Sequence, residues 1–217
     1  MKPVLSPQAA ADLIPDGATI MVGGFMGVGS PNRLIDAIAT SQRTGLTLIA
    51  NDTAMPEKGI GKLVSAGCIK TCIVSHIGLN PETQQLMNNG TLEVRLVPQG
   101  TLVEQIRSAG VGLGGVLTKT GLGTEVATGK QIVCVDDQNY LLEPPLRADV
   151  ALIAARQADY FGNLEYALTA QNFNPIMALA ADTVICEADH IVPVGMISPD
   201  AVRTPGVLVD HLLKRPS

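Results

Sequence analysis

A repeated alternation of short apolar runs and helical segments constrains the fold of this chain more than any other feature. The runs cover residues 18–22, 46–50, 71–75 and 92–97, and a segment with helical spacing or helix-start signals follows each of them. Strands that alternate with helices at this spacing predict βαβ units and a parallel sheet. We therefore expect an α/β fold with a mostly parallel open sheet.

The first strand–helix unit contains a glycine-rich loop. Residues 16–31 read DGATIMVGGFMGVGSP, which is an apolar run, a loop with four glycines and a proline at the expected helix start. Ser30 is placed to act as N-cap, and backbone amides at a helix start suit an anion. Glycines let the backbone approach a ligand closely, although a strand–helix turn that needs glycine only for its geometry predicts the same pattern. The spacing fits neither GxGxxG nor the P-loop.

The second half of the chain departs from this repeat once. Residues 110–129 contain seven glycines and predict a long loop or flap, and residues 131–143 predict a β-hairpin. Apolar runs at 148–155 and 183–187 predict two further central strands, with a short helix at 176–181 between them and a closing element at 207–213. We expect one domain, 1–217, with the flap and hairpin of residues 110–147 inserted.

Composition excludes several classes of protein. The 217 residues carry a net charge of −5, which argues against nucleic acid as a partner. No apolar run approaches the roughly 18 residues of a membrane span, and the N-terminus lacks the apolar core of a secretory signal, so we expect no membrane contact and a cytoplasmic location. Four scattered cysteines predict reduced thiols and neither a disulfide framework nor a metal site.

The stretch 16–31 as a whole resembles the first signature of the family I CoA-transferases. All fixed positions of that signature are present: Asp16, Gly17, Gly23, Gly24, Phe25, Gly29 and Pro31. The similarity continues in order through residues 49–54, 75–83, 97–107, 112–124, 162–166, 170–175 and 204–212, so it covers essentially the full chain. The chain looks most similar to the alpha subunits of the acetate/acetoacetate and butyrate–acetoacetate group. The resemblance implies a three-layer α/β/α sandwich like that of ribose-5-phosphate isomerase.

The same resemblance implies a binding site. Seven consecutive residues match the segment associated with CoA: Gly24, Phe25, Met26, Gly27, Val28, Gly29 and Ser30. Gln99 matches the glutamine expected to donate to the thioester oxygen, although a bond to a nearby backbone amide is the alternative for this side chain. Asn51 and His76 also follow predicted strands and are candidate pocket residues. An Asx turn at Asn51 and a buried imidazole at His76 are the alternatives.

The nucleophile of the family is expected on another chain. In the beta subunit, a glutamate of a Ser-Glu-Asn-Gly motif attacks the thioester, and this sequence lacks that motif. The glutamates that we considered are each better explained as helix or loop surface: Glu82, Glu104, Glu125 and Glu165. The resemblance thus implies an enzyme subunit that moves CoA between acetyl-CoA or butyryl-CoA and an acid such as acetoacetate. Its expected partners are the beta subunit, acyl-CoA and short-chain carboxylates, with CoA as substrate and no other cofactor.

Three alternatives stay open at this point. A 3-oxoadipate CoA-transferase alpha subunit would have a similar sequence. A sugar-phosphate isomerase on the same fold would need a base, for which Lys119 is the only candidate. A non-catalytic module that binds acyl-CoA would use the same loop. The preferred acyl chain and acceptor, the direction of reaction and the choice between α2β2 and α4β4 do not follow from the sequence.

Overall fold

A nine-stranded sheet is the centre of the molecule. A computed structural model describes residues 1–214. Eight strands follow the order β1-β12-β11-β9-β2-β3-β4-β5 and pair in parallel, and β10 pairs with β9 in antiparallel fashion. The strands of this sheet are β1 (Val4–Leu5), β2 (Thr19–Val22), β3 (Leu46–Ile49), β4 (Ile69–Val74), β5 (Glu93–Leu96), β9 (Ala148–Asp159), β10 (Leu164–Glu165), β11 (Ala181–Val192) and β12 (His211–Lys214).

Helices cover both faces of this sheet and complete three layers. On one face, an apolar core packs α1 (Pro7–Ala11), α2 (Asn32–Thr40) and α3 (Gly61–Ser65) against the sheet through residues such as Ala10, Ile35 and Leu63. A second core joins α5 and α6 to the other face through Leu102, Ile106 and Met177. The remaining helices are α4 (Pro81–Asn88), α5 (Gln99–Gly110) and α6 (Asn174–Met177). The prediction of an α/β fold with a mostly parallel sheet is confirmed.

The strand order places a topological switch point beside β2. The chain runs outward from β2 through β3, β4 and β5, and then returns to add β9 on the other side of β2. The connections that follow β2 and β9 therefore leave the sheet in opposite directions. A crevice opens at the carboxyl ends of the strands at such a point, and ligands of open α/β sheets bind there.

The inserted region forms a small second sheet. It has the order β6-β8-β7, with β6 (Val116–Thr118), β7 (Ile132–Val135) and β8 (Gln138–Glu143). The expected hairpin is therefore present, and β6 adds a third strand within the segment that was expected to be a loop. Within this region, Lys130 donates to the buried Glu143 carboxylate at 2.6 Å. Gln105 of α5 donates to the Pro144 carbonyl at 2.9 Å and so links the small sheet to the main fold.

Several boundaries differ from those expected. β1 and β10 are two-residue strands, too short for an apolar pattern, and the expected helix at 176–181 is Asn174–Met177. β9 and β11 have twelve residues each, because their paired ends extend beyond the apolar runs through polar residues. No helix within residues 1–214 is long and apolar enough to cross a bilayer. The division of the chain into one domain stays a prediction.

Candidate active site at the carboxyl edge of the sheet

The glycine-rich loop between β2 and α2 is a tight hairpin. The backbones of Phe25 and Val28 exchange two hydrogen bonds of 3.0 and 2.9 Å around the central residues Met26 and Gly27. Both central residues have positive φ angles, 50° and 85°, as a type I′ turn requires. Three apolar side chains of the hairpin are exposed to solvent: Phe25, Met26 and Val28. The loop therefore presents an apolar surface that is fixed in shape.

A buried aspartate holds the hairpin to the end of β3. Asp52 is 3% exposed, and its Oδ2 accepts the Met26 amide at 2.9 Å. Its Oδ1 accepts the amide of Ala54 at 2.6 Å, two residues further along the chain. The Asx turn that was considered for Asn51 is thus made by Asp52. Sequence analysis missed Asp52, although its position directly after a strand was a usable signal.

Two backbone amides at the start of α2 are already hydrogen-bonded within the protein, so they are not free to bind an anion as the sequence suggested. Helix α2 begins at Asn32 without a side-chain cap from Ser30, so the prediction of Ser30 as N-cap is wrong. Glu187 of β11 takes that role instead, because its Oε2 accepts the amides of Arg33 and Leu34 at 2.9 and 3.1 Å. The Ser30 hydroxyl is buried without a hydrogen-bond partner in the described part of the chain.

Gln99 and Asn51 meet at the edge of the sheet. Gln99 is the first residue of α5, and its Nε2 donates to Asn51 Oδ1 at 2.9 Å. The same oxygen accepts the Ser75 hydroxyl at 2.9 Å, while Asn51 Nδ2 donates to Asp52 Oδ2 at 3.3 Å. Asn51 is buried and Gln99 is exposed. The network fixes the Gln99 carboxamide and leaves its second N–H able to donate to a ligand.

His76 lies apart from this network. It follows β4, as expected, and its backbone forms a bridge with Asp52. Its side chain is exposed, so the alternative of a buried imidazole is wrong. His76 also does not line the cleft described next. Its role in a substrate pocket stays a prediction.

A cleft of about 500 Å³ opens between the hairpin and α5. It combines carboxamides with apolar side chains, and no carboxylate of residues 1–214 lines it. Its lining residues are Phe25, Asn51, Gln99, Gly100, Val103, Thr169, Asn172 and Phe173. A smaller cleft of about 190 Å³ lies on the other side of the loop, beside β9, and its lining includes Gly27, Gly29 and Ser30. The larger cleft can hold an apolar chain and donate to an oxyanion, but among residues 1–214 its lining offers no carboxylate, thiol or imidazole as an attacking group.

The buried thiols cannot supply that group. Burial raises the pKa of Cys68, and it raises the pKa of Cys72 from 9.0 to about 12. The pKa of Cys186 is raised first by burial and then by the nearby carboxylates of Glu187 and Asp189. Thiolates are the nucleophilic form of cysteine, so these three residues are inert near neutral pH. Within residues 1–214, no group of three or more acidic, histidine or cysteine side chains could hold a metal ion.

Two asparagines of a distant segment also belong to the site, and sequence analysis gave them no role. Asn172 lines the larger cleft and bonds the Gly24 amide, and Asn174 bonds the Gly29 carbonyl. The motif AQNFNP at residues 170–175 contains both of them. The sequence thus contained the motif, but nothing in the sequence showed that the motif contacts the glycine-rich loop.

The fold and the cleft define a protein that can bind and polarise an acyl compound without attacking it. The Coenzyme A transferase family model matches residues 4–215, and the chain belongs to that family. It is 53% identical to the acetate CoA-transferase alpha subunit of Escherichia coli K12 over 210 residues, which is 97% of this chain and 96% of the relative. It is 50% identical over 202 residues, 93% of each chain, to the acetoacetyl-CoA:acetate/butyrate CoA transferase alpha subunit of Clostridium acetobutylicum.

Solved structures share the fold of this chain, and they include a CoA-transferase and a decarboxylase. The chain superimposes with a TM-score of 0.86 on an acyl-CoA transferase from E. coli O157:H7 in a thioester complex with CoA, at 26% identity. That match covers 99% of this chain and 47% of the other, so the chain spans about half of that transferase. A variant of the decarboxylase AibA/AibB gives a TM-score of 0.83 at 27% identity, with 100% of this chain and 84% of the other covered.

Proposed function

We propose that this chain is the alpha subunit of a heteromeric CoA-transferase that moves CoA between a short-chain acyl-CoA and a carboxylic acid such as acetate or acetoacetate. The observation that carries the proposal is the cleft itself, in which Gln99 is fixed as a hydrogen-bond donor among apolar walls and the described part of the chain places no carboxylate. Such a cleft suits a thioester and needs a nucleophile from outside. Relatives of this subunit type are the most similar proteins described above.

The proposed mechanism divides the reaction between two chains. In the beta subunit, the glutamate of the Ser-Glu-Asn-Gly motif attacks the thioester carbon, CoA leaves as the thiolate, and an acyl–glutamyl anhydride forms. The thiolate then attacks the glutamyl carbonyl, which releases the carboxylic acid and leaves a glutamyl–CoA thioester. The acceptor acid reverses both steps. Gln99 would donate to the oxygen that becomes negative, a contact worth roughly 3 kcal/mol in the transition state.

Other parts of the chain would bind and orient the CoA ester. We assign this role to the hairpin residues Phe25, Met26 and Val28, whose apolar side chains are exposed, and to the adjoining glycines. Asn51 would act as a positioning residue for Gln99, because it holds that side chain from a buried site. A cytoplasmic location stays a prediction of the sequence.

The alternatives have less support. The corresponding chain of a 3-oxoadipate CoA-transferase from Acinetobacter baylyi is 40% identical, below the values for the acetate and acetoacetate relatives. Lys119, the base that an isomerase would need, is exposed beside the second sheet, where its Nζ lies 5.4 Å from the centre of the Tyr140 ring. A transferase that uses acetate or acetoacetate is therefore the better supported function.

Covalent trapping tests the proposal. Two samples, the chain alone and the chain in complex with its beta subunit, are incubated with acetyl-CoA, reduced with borohydride and mapped by peptide mass spectrometry. We expect transfer activity only in the complex, and a glutamate lightened by roughly 14 mass units, as reduction of a thioester intermediate to an alcohol requires, only in the beta subunit. Modification of a glutamate in this chain would contradict the division of roles.

A further inference from the structure

A segment distant in sequence holds the hairpin at its base. It consists of the 3-10 turn Leu168–Gln171, Asn172, Phe173 and the first residue of α6, Asn174. The side chains of Asn172 and Asn174, which we call the asparagine clamp, bond the loop backbone on both sides of the turn. The clamp and the loop are separated by well over a hundred residues of sequence, so no local rule places them together.

We propose that Asn172 is a positioning residue for the acyl-CoA cleft: its carboxamide sets the separation of the two hairpin strands and thereby the place of the Phe25 ring at the cleft wall. The inference rests on the proposed function, since it assigns the cleft to an acyl-CoA. Phe25 and Asn172 line the same cleft as Gln99.

The hydrogen bonds of Asn172 span the hairpin. Its Oδ1 accepts the Gly24 amide at 3.1 Å, and its Nδ2 donates to the Val28 carbonyl at 2.9 Å. Gly24 precedes Phe25 in the chain, and Val28 is the residue paired with Phe25 across the turn. One carboxamide therefore holds the residue before Phe25 in the chain and the residue paired with Phe25 across the turn.

The orientation of that carboxamide is itself fixed. Oδ1 also accepts the amide of Phe173 at 2.7 Å, and Nδ2 also faces the carbonyls of Thr169 and Ala170 at 3.2 and 3.3 Å. A rotated side chain would bring oxygen against carbonyls and nitrogen against amide donors. Only a short side chain with one donor end and one acceptor end satisfies these partners, which is the chemistry of asparagine.

Asn174 extends the same contact to the sheet. It is fully buried, its Nδ2 donates to the Gly29 carbonyl at 3.0 Å, and its Oδ1 accepts the Ala154 amide of β9 at 3.0 Å. Two glycines make room for the clamp. A Cβ at position 23 would lie 1.8 Å from Asn174 Oδ1, and one at position 29 would lie 2.8 Å from Asn172 Nδ2. These glycines serve contact with the clamp, whereas Gly27 faces open space.

The test compares two isosteric substitutions in the complex of this chain with its beta subunit. Asn172→Asp keeps the acceptor for Gly24 but places a carboxylate oxygen against the Val28 carbonyl. Asn163→Asp is the control, because it likewise places a carboxylate oxygen against an oxygen acceptor: Asn163 accepts the Gly206 amide and donates to the Asp159 carboxylate at 2.8 Å each, outside the larger cleft. Hydrogen exchange of peptides covering residues 23–31 and steady-state kinetics are measured for each variant.

We expect Asn172→Asp to speed exchange in this loop by about tenfold, as the loss of one hydrogen bond implies, and to raise KM for acetyl-CoA by a similar factor. The value of kcat should stay within about threefold, since the clamp does not touch the reacting atoms. Asn163→Asp should change neither the loop exchange nor KM. If Asn172→Asp fails to assemble, Asn172→Ala removes both bonds without adding repulsion and is judged by the same criteria.

Three results would overturn the proposal. They are unchanged loop exchange in the Asn172 variant, faster exchange without a change in KM, and an equal rise of KM in the Asn163 control. The design also separates this inference from the function on which it rests. Absence of transfer activity in the unmodified complex would contradict the proposed function, whereas unchanged loop exchange in an active complex would contradict only the clamp.

Discussion

The proposed chemistry depends more on the position of the Gln99 side chain than on that of any other side chain discussed above. Its backbone starts α5, and its Nε2 is directed by Asn51 from a buried position. Gln99→Ala should lower kcat by about 10²-fold or more and change KM little, because an oxyanion donor acts mainly in the transition state. A raised KM with unchanged kcat would instead indicate ground-state binding. Steady-state assays of the complex measure this. Gln84→Ala is the control, since the Gln84 side chain lies on α4 and donates to the Ile77 and Gly78 carbonyls of the preceding loop.

The cysteines give a second prediction at this scale. Cys134 is exposed on the small sheet, whereas Cys68, Cys72 and Cys186 are buried with raised pKa values. A thiol reagent at neutral pH should therefore label Cys134 within the native chain and all four cysteines after unfolding. Rapid native labelling of a buried cysteine, identified by peptide mapping, would contradict the described packing.

Single residues also show what the sequence could and could not predict. Gln99 and Asn51 each follow a strand of a parallel sheet, so their position at one edge of that sheet was predictable from the alternation of strands and helices, whereas the hydrogen bond between them was not. The wrong assignment of Ser30 as N-cap has a physical reason: Glu187 from a strand on the far side of β2 reaches the same amides. The position of Glu187 depends on the tertiary fold, and a local rule for helix starts contains no information about it.

At the scale of elements, the contact between β11 and α2 is tested through Glu187. Glu187→Ala removes the acceptor of two helix-start amides in a buried setting, and the change should lower the free energy of unfolding by about 1–3 kcal/mol. Urea denaturation followed by circular dichroism measures the loss. Asp36→Ala is a suitable comparison, because Asp36 lies on the same helix and makes only an exposed ion pair with Lys62, which should contribute little.

The hairpin loop offers a matched pair of glycines. Gly27 and Gly29 have similar positive φ angles of 85° and 75°, but a Cβ at Gly27 meets nothing within 4 Å, whereas one at Gly29 would lie 2.4 Å from the Ala170 carbonyl oxygen. Both alanine variants carry a similar backbone strain of about 1–2 kcal/mol, because an L-residue is disfavoured at these φ angles. Gly29→Ala should therefore destabilise the chain by a further 1–3 kcal/mol or so, through overpacking. Equal losses in thermal or urea unfolding would contradict this account.

The elements themselves were predictable to different degrees. Strands with continuous apolar runs and the helices that follow them were predictable from the sequence, as in α4 after the run at 71–75, where the Asn80 side chain accepts the Thr83 amide at 3.1 Å. Strand β6 was not predictable, because its residues Val116–Thr118 lie among glycines and only partner strand β8 completes the pattern. Short strands obtain their stability from pairing, which an isolated segment does not reveal.

For the whole molecule, the buried thiols predict a loss of stability at alkaline pH. The pKa of Cys72 is about 12 in the folded chain and 9.0 when unperturbed, so above about pH 9 the unfolded chain releases this proton and the folded chain does not. The free energy of unfolding should therefore be unaffected by this group below pH 9 and should fall as the pH rises toward 12. Urea titrations at a series of pH values test this, and Cys72→Ala should show a shallower decline.

The clamp has a consequence for how the chain acquires its binding loop during synthesis. Gly24 leaves the ribosome early, but its partner Asn172 follows 148 residues later, which at 5–20 residues per second is a delay of roughly 7–30 s. The neighbour of β2 in the finished sheet, β9, is also made late. Until then the glycine-rich segment lacks the contacts that shape it, and a nascent chain cannot bind the ligand of the finished cleft. Binding competence is therefore one of the last properties that a newly made chain acquires.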